Sequence, residues 1–367
     1  MIEKGAAPEI HRYRRRLLAA GRALTTPLLP DDYLELLNPL WSTRELKGTI
    51  AKVRLDTPES ATIVIRPGVG WQGHKPGQYV RIGVEINGIR HWRAYTITSD
   101  TDHPSGLLSI SVRRVEGGRM SPFFTREVRP GTIVFLGEVE GTFCLPDPAP
   151  AKVLMLSAGS GVTPIFSMLR ALDRDRGLHD VVHLHCERRR EEIMFAELFA
   201  EMAGRNPGYR RVEHLSSEHG RLESGSLHEI CPDWRERETF LSGPPAMLTE
   251  FTALWDAEGV RERLALEHFQ PFAPDGGALG LGEGGTVHFR VTEVDAVCDG
   301  ATPILVGGEE AGAVLPFGCR MGICHQCIGR LAHGRVRDMR TGALHGQSGE
   351  MVRTCINAPE GHVEIDL

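Results

Sequence analysis

Cys319, Cys324 and Cys327 follow the spacing C-x4-C-x2-C within GCRMGICHQCIG, and a fourth cysteine, Cys355, stands in VRTCINAP. Four thiolates in this arrangement match the plant-type pattern that holds two irons in a [2Fe–2S] centre, a site that carries one electron at a time. Gly318, Gly322 and Gly329 suit a loop that must turn tightly and bring backbone N–H groups close to the sulfurs. A structural zinc site with four cysteines usually comes as two paired knuckles, whereas Cys355 stands alone. Inert core thiols are the third reading. The spacing favours iron and sulfur over both.

A second constellation is Gly159-Ser160-Gly161-Val162-Thr163-Pro164, between the apolar run VLMLSAG and the helical pattern PIFSMLRALDRD. Glycines in that place let a backbone approach a pyrophosphate, and a helix N-terminus offers unpaired N–H groups to it. Proline in a first helical turn forfeits no hydrogen bond. An ordinary strand–helix turn is the plainer alternative. The end of the next expected strand, DVVHLHC, should read the ribose: an acidic residue accepts from a 2′-OH, and arginines pair with a 2′-phosphate. Cys186-Glu187 is followed there by Arg188, Arg189 and Arg190, a balance that favours NADPH and leaves NADH open. Upstream, Arg93 and Tyr95 alternate onto one face of a strand while Thr96 faces the other, a cation and an aromatic suited to a flavin's phosphate and ring. Gly117-Gly118-Arg119-Met120-Ser121 offers another phosphate cradle. Each is weak alone. His183 and His185 share a strand face and read as structural, because no further metal ligands stand at useful spacing.

These residues must be positioned by more than one folding unit, since 367 residues predict two or three domains. From about Gly48, short β-type runs separated by Pro76-Gly77, Asn87-Gly88 and Pro130-Gly131 predict six or seven strands, TFCL among them, closing into an antiparallel barrel. From about Lys152 the order strand, helix, strand, then the helix-like REEIMFAELFAEM predicts a parallel sheet with helices on its faces, and Thr239-Phe240-Leu241 a later strand of it. The Gly- and Pro-rich residues 270–285 read as a flexible linker, and 286–367 open on the strand-like TVHFRVTEV. Residues 1–46 read as a helical extension. Ile10, Tyr13, Leu17, Leu18 and Leu24 lie near one face, with Arg12, Arg14, Arg15 and Arg16 around them, and a short second helix runs from Asp31 to before Pro39. A solvated arm packed on the body is favoured there over contact with an anionic membrane surface.

A net charge of −6 argues against nucleic acid as a partner. No stretch of about 18 apolar residues predicts a membrane span. The N-terminus lacks an export pattern, and Cys144, Cys186, Cys231 and Cys298 are scattered like buried small hydrophobes. A reducing cytoplasm is expected.

Taken together, these motifs resemble the ferredoxin–NADP reductase superfamily in its fused form with a C-terminal plant-type ferredoxin domain. The resemblance covers about residues 47–367 and rests on Pro76-Gly77-Gln78-Tyr79, R-A-Y-T at 93–96, G-R-M-S at 118–121, G-S-G-V-T-P at 159–164, S-G-P-P-A-M at 242–247 and the four cysteines. It implies a multidomain α+β chain: a β-barrel flavin domain over 47–148, an α/β nicotinamide domain over 149–269, the linker, and a β-grasp ferredoxin domain over 286–367. The implied cofactors are FAD, NADPH and a [2Fe–2S] cluster, with FMN as an alternative flavin. Arg93, Gly118 and Ser121 would hold the flavin pyrophosphate. Tyr95 would pack on the ring, and Thr96 would sit near its reactive nitrogen. Gly159, Gly161, Pro164, Arg188 and Arg189 would hold the dinucleotide. Thr163, Ser242, Gly243 and Pro244 would lie by the nicotinamide, with Thr96, Thr163 and Ser242 nearest the chemistry. The family usually reads Cys-Gly-Pro where this chain has Ser242-Gly243-Pro244, which puts the role of Ser242 in question. The stretch PDDYLELLNPLWSTRELKG at 30–48 resembles reductases that serve bacterial membrane-bound acyl-CoA desaturases of the stearoyl-CoA type. It implies a di-iron fatty acid desaturase as acceptor and a place at the inner face of the membrane, with peripheral contact at most. A soluble oxygenase or hydroxylase as acceptor is the alternative, and a redox sensor or standalone electron carrier is an alternative of another class.

Overall fold

The computed structural model describes residues 38–367 apart from 43–44, 87, 102–104, 117, 176, 269–282, 319, 321, 323–324 and 340. The helices expected over residues 1–37 and most of the expected linker lie outside the described residues. At the start, Pro39–Trp41 forms one 3-10 turn capped by Asn38, whose side-chain oxygen accepts from Leu40 N at 2.9 Å.

Six antiparallel strands follow: β1 (Lys47–Thr57), β2 (Ser60–Pro67), β3 (Tyr79–Ile86), β4 (Ile89–Thr96), β5 (Leu108–Arg113) and β6 (Ile133–Glu140). Their order is β4-β3-β6-β1-β2-β5, and an Ile97–Ile110 bridge joins the two ends, so that the sheet closes on itself. Closure follows from side-chain alternation. Ile63, Ile65, Val80, Ile82 and Ile110 point into one fully buried core, and joining the edges leaves fewer unpaired backbone groups. The expected strand at TFCL is not formed. Residues 142–144 run as an irregular segment that seats Phe143 against Phe240 of the next domain, with ring centroids 5.8 Å apart.

The central sheet is wholly parallel, with β7 (Val153–Ala158), β8 (Val181–Glu187), β9 (Tyr209–Leu215), β10 (Glu238–Gly243) and β11 (Leu264–His268) in the order β11-β10-β7-β8-β9. Its main helices are α1 (Val162–Asp175), α2 (Ala196–Arg205) and α3 (Pro245–Ala257). Successive β7 side chains feed two cores, Met155 with Phe166, Phe199 and Phe240 on one face and Leu154 and Leu156 with Trp234 and Trp255 on the other. That double burial explains the uninterrupted apolar run. The helix expected from REEIM begins later than the pattern suggested. Arg190–Glu192 is a 3-10 turn, and Phe195 takes a left-handed φ of 61° that stacks its ring on Phe166 at 4.0 Å before α2 starts.

The last unit is a mixed sheet of β12 (Gly285–Phe289), β13 (Val294–Cys298), β14 (Ile328–Asp338), β15 (Leu344–His345), β16 (Met351–Arg353) and β17 (Asn357–Asp366), with α4 (Ile304–Glu310) packed on it. β12 and β17 run parallel at its centre, and Phe289, Ile304, Leu305 and Val363 share the core in a β-grasp arrangement. β12 thus begins at Gly285, inside the range expected as linker. Among the described residues, no helix is long and apolar enough to cross a membrane.

Candidate functional site

In the parallel sheet the chain moves outward from β7 through β8 to β9, then returns to the other side of β7 with β10. That reversal opens a crevice at the C-terminal ends of β7 and β10, where open α/β sheets bind ligands. Gly159–Gly161 leaves β7 on one side of it, and Gly243-Pro244 leaves β10 on the other. Gly159 takes a left-handed φ of 54° that favours glycine, and a Cβ on Gly161 would overlap the Ser242 carbonyl, so the close approach of the two loops requires glycine at 161. Pro164 lies in the first turn of α1.

Thr163 Oγ1 stands 3.1 Å from the Ser160 carbonyl and 3.3 Å from Thr96 Oγ1. The expected nicotinamide-side and flavin-side threonines are therefore brought together from different domains. Ser242 is fully buried, and its hydroxyl has no hydrogen-bond partner among the described residues. A buried hydroxyl without a partner is unusual and fits a site that a polar ligand group completes. Arg188 and Arg189 are exposed beyond β8, with no carboxylate paired to either guanidinium among the described residues, whereas Arg190 is held by Glu213 at 2.6 Å. Two guanidiniums without a counter-charge at this place fit a dinucleotide phosphate.

On the barrel, β4 pairs Ile82 with Arg93, Val80 with Tyr95 and Tyr79 with Thr96. Arg93 and Tyr95 share a face and Thr96 takes the other, where it meets Thr163. Tyr95 packs edge-on to Phe124 with centroids 5.5 Å apart, and its burial raises the phenol pKa so that the ring stays neutral. Arg93 donates to the Trp92 carbonyl at 2.8 Å and has no carboxylate partner among the described residues. His91, which the sequence did not single out, and Arg119 of the expected phosphate cradle join it. His91 lies on the same strand face, and its pKa is lowered by burial first and then by the charges of Arg119 and Arg93. A cationic group with no carboxylate paired to it among the described residues fits a pyrophosphate. The 118–121 turn closes on itself, with Ser121 Oγ accepting from Val115 N at 3.0 Å and Gly118 N donating to the Val115 carbonyl at 3.1 Å. The alternation H-x-R on β4 was the available signal for His91, but nothing in sequence placed Arg119 beside it.

In the ferredoxin unit, Cys327 and Cys355 are buried and their sulfurs converge to 3.1 Å. Gly322 N donates to Cys355 Sγ at 3.2 Å, the type of bond that lowers charge on a ligating sulfur. Thr354 fixes the two segments by donating from both its N and Oγ1 to the Cys327 carbonyl, at 3.0 and 2.9 Å. Arg320 makes a two-pronged ion pair to Glu309 at 2.7 and 2.6 Å and lies over the Phe317 ring, tying the cysteine loop to α4. Cys319 and Cys324 lie outside the described residues. Two converging buried thiols with a backbone N–H aimed at one of them fit a cluster.

The remaining cysteines divide. Cys231 and Cys298 are buried as expected, whereas Cys144 and Cys186 are only partly buried. Burial raises all four thiol pKa values, Cys186 to about 12 and Cys231 and Cys298 to about 11, which keeps them protonated and unreactive. His183 is satisfied on both ring nitrogens, by Ser157 Oγ at 3.1 Å and Tyr209 OH at 2.8 Å. His185 shares Ser157 at 2.9 Å, but its second nitrogen is unpartnered among the described residues.

Three family descriptions match the chain in order: oxidoreductase FAD-binding domain over residues 50–143, oxidoreductase NAD-binding domain over 155–252, and 2Fe-2S iron-sulfur cluster binding domain over 288–360. An NADPH oxidoreductase of Mycobacterium tuberculosis is 43% identical over 349 residues, covering 94% of this chain and 90% of its own length. The chain belongs to the ferredoxin reductases with a fused C-terminal [2Fe–2S] domain. FAD, a nicotinamide coenzyme and a [2Fe–2S] cluster are the cofactors of this reductase. A glycine betaine monooxygenase reductase subunit of Pseudomonas aeruginosa is 27% identical over 334 residues, 80% of this chain and 87% of that one. Phthalate dioxygenase reductase shares the fold of this ferredoxin reductase, with a TM-score of 0.57 at 19% identity over 88% of this chain and 98% of that one.

Proposed function

We propose that this reductase takes electrons from NADPH, passes them through FAD to the [2Fe–2S] cluster, and delivers them singly to a membrane-bound di-iron acyl-CoA desaturase of the stearoyl-CoA type. The bound groups supply hydride acceptance, splitting of an electron pair and one-electron storage at about −400 mV. The protein's own residues orient and shield. Thr96 and Thr163, 3.3 Å apart and buried, would exclude water where the two domains meet, and Ser242 would offer a hydroxyl to the nicotinamide. Arg93, with Gly118 and Ser121, would hold the flavin pyrophosphate, and Tyr95 would pack on the ring. Gly159, Gly161, Pro164, Gly243 and Pro244 would shape the nicotinamide crevice. Arg188 and Arg189 would meet the 2′-phosphate. Cys319, Cys324, Cys327 and Cys355 would ligate the cluster.

The observation that carries the electron path is the convergence of Thr96 from the barrel with Thr163 from the nicotinamide domain, beside the crevice where the Ser242 hydroxyl has no partner among the described residues. The choice of desaturase rests on the 30–48 stretch and its resemblance to desaturase reductases. A second reading, a soluble oxygenase as acceptor, is favoured by the names of relatives. Among them are the glycine betaine monooxygenase reductase and the ferredoxin reductase component of a 3-ketosteroid-9-alpha-monooxygenase. Co-expression separates the two readings. The proposal expects more unsaturated fatty acid when this chain accompanies a membrane acyl-CoA desaturase, and it fails if only a soluble oxygenase gains turnover.

A further inference from the structure

Glu187 ends β8, where an acidic side chain would ordinarily reach the ribose 2′-OH of a non-phosphorylated coenzyme. Here both of its oxygens are engaged elsewhere. Oε2 accepts from Arg113 Nη1 at 2.7 Å, Oε1 accepts from the Arg188 backbone N–H at 2.9 Å, and the side chain is only 5% exposed. Arg113 comes from the other domain, at the end of barrel strand β5. Its second nitrogen, Nη2, is held by Glu192 at 2.7 Å. The same guanidinium lies beside the dinucleotide loop, since a Cβ on Gly159 would come within 3.4 Å of Arg113 Nη1. One arginine therefore spans the barrel edge, the Gly159 loop and the end of β8.

We propose that Arg113 is a specificity-determining residue for the coenzyme. By holding the Glu187 carboxylate inward it removes the group that would favour NADH and repel a 2′-phosphate. The exposed Arg188 and Arg189, which have no carboxylate partner among the described residues, are then left to meet the phosphate. A pair of acidic partners, Glu187 and Glu192, keeps the arginine in place and prevents it from swinging out to join them. The inference rests on the reading that Arg188 and Arg189 face the 2′-phosphate, and it adds that a flavin-domain residue makes this possible.

The test uses full-length, flavin-loaded protein and two readouts: calorimetric affinity for 2′,5′-ADP against 5′-AMP, and kcat/KM for NADPH against NADH. In Arg113→Ala the released carboxylate would face the phosphate. Both preference ratios are expected to fall by at least about tenfold, because like charges brought together cost more than the 1.4 kcal/mol of one decade. Adding Glu187→Gln to that variant should restore most of each ratio. Arg113→Lys, which keeps the charge without the two-pronged geometry, should fall between wild type and Arg113→Ala, and it serves if the alanine variant does not fold. Equal losses for both coenzymes, with ratios unchanged, would make Arg113 a strut or a pyrophosphate contact and overturn the proposal. So would a double variant no better than Arg113→Ala or Arg113→Lys alone. Wild-type protein that binds 5′-AMP as tightly as 2′,5′-ADP would instead overturn the arginine–phosphate reading itself, before Arg113 is altered.

Discussion

Ser242 offers a prediction in which stability and activity move in opposite directions. Its hydroxyl is fully buried at the end of β10 and has no partner among the described residues. Leaving a buried polar group unsatisfied costs about 1–3 kcal/mol. Ser242→Ala removes that group and a volume too small to leave a harmful cavity. In the absence of nicotinamide, the variant should gain roughly 1 kcal/mol, the low end of that range after loss of packing around the missing oxygen. For a unit of 150–250 residues this corresponds to about 2–4 °C in Tm. When NADP⁺ saturates the site, the wild-type hydroxyl should acquire a partner and the advantage should vanish or reverse. Hydride transfer should slow by about tenfold, the equivalent of one modest hydrogen bond aligned in the transition state. The assay is thermal unfolding with and without NADP⁺, alongside anaerobic stopped-flow of flavin reduction. A variant less stable than wild type without ligand, or one whose Tm difference is the same in both conditions, would refute the reasoning. Ser242→Cys, the residue this family usually carries there, should retain most of the rate.

Three other outcomes follow from the same geometry. Replacing Arg188 and Arg189 by Gln should raise KM for NADPH by about tenfold to a hundredfold while changing NADH little, since a charged hydrogen bond contributes about 1.5–3 kcal/mol; steady-state kinetics with both coenzymes reads it. Stability should fall on acidification below pH 6.5, because burial lowers the folded pKa of both His183 and His185, that of His185 to about 3. The unfolded chain then binds protons that the native one refuses, so this contribution is complete above the ordinary histidine pKa and is lost by up to about 1.4 kcal/mol per pH unit for each histidine below it. Urea unfolding at several pH values measures the slope, and His185→Asn should make it shallower. Gly161→Ala should impair coenzyme binding and lower Tm, because the added methyl overlaps the Ser242 carbonyl and forces the two crevice loops apart by an overpacking cost of about 1–3 kcal/mol; differential scanning calorimetry and NADPH titration check it.

What was legible in the sequence was chemistry confined to short stretches. The cysteine spacing points to a cluster site, of which the described residues bring Cys327 and Cys355 together, and the glycines at 159 and 161 sit where a strand must turn into a helix. The barrel and the parallel sheet followed from alternation on one hand and from runs buried on both faces on the other. Pairings across the chain were not legible. Arg113 and Glu187 are 74 positions apart, and nothing local distinguishes Arg113 from any arginine ending a strand. Arg119 joins His91 and Arg93 only after the barrel folds. Phe195 delays α2 because a stacked ring contact with Phe166 outweighs the helical pattern, a tertiary effect that periodicity cannot register. Ser242 was visible as a departure from the family. That it is buried without a partner among the described residues is visible only in three dimensions.

The electron path is tested most directly by anaerobic stopped-flow with NADPH, following flavin and cluster absorbance separately in wild type and in Cys355→Ser. In wild type, flavin bleaching should precede cluster bleaching, and cytochrome c reduction should follow the cluster. In Cys355→Ser, flavin reduction and ferricyanide turnover should persist while the cluster signal and cytochrome c reduction are lost. Cytochrome c reduction at an unchanged rate in Cys355→Ser, without the cluster signal, would contradict the account.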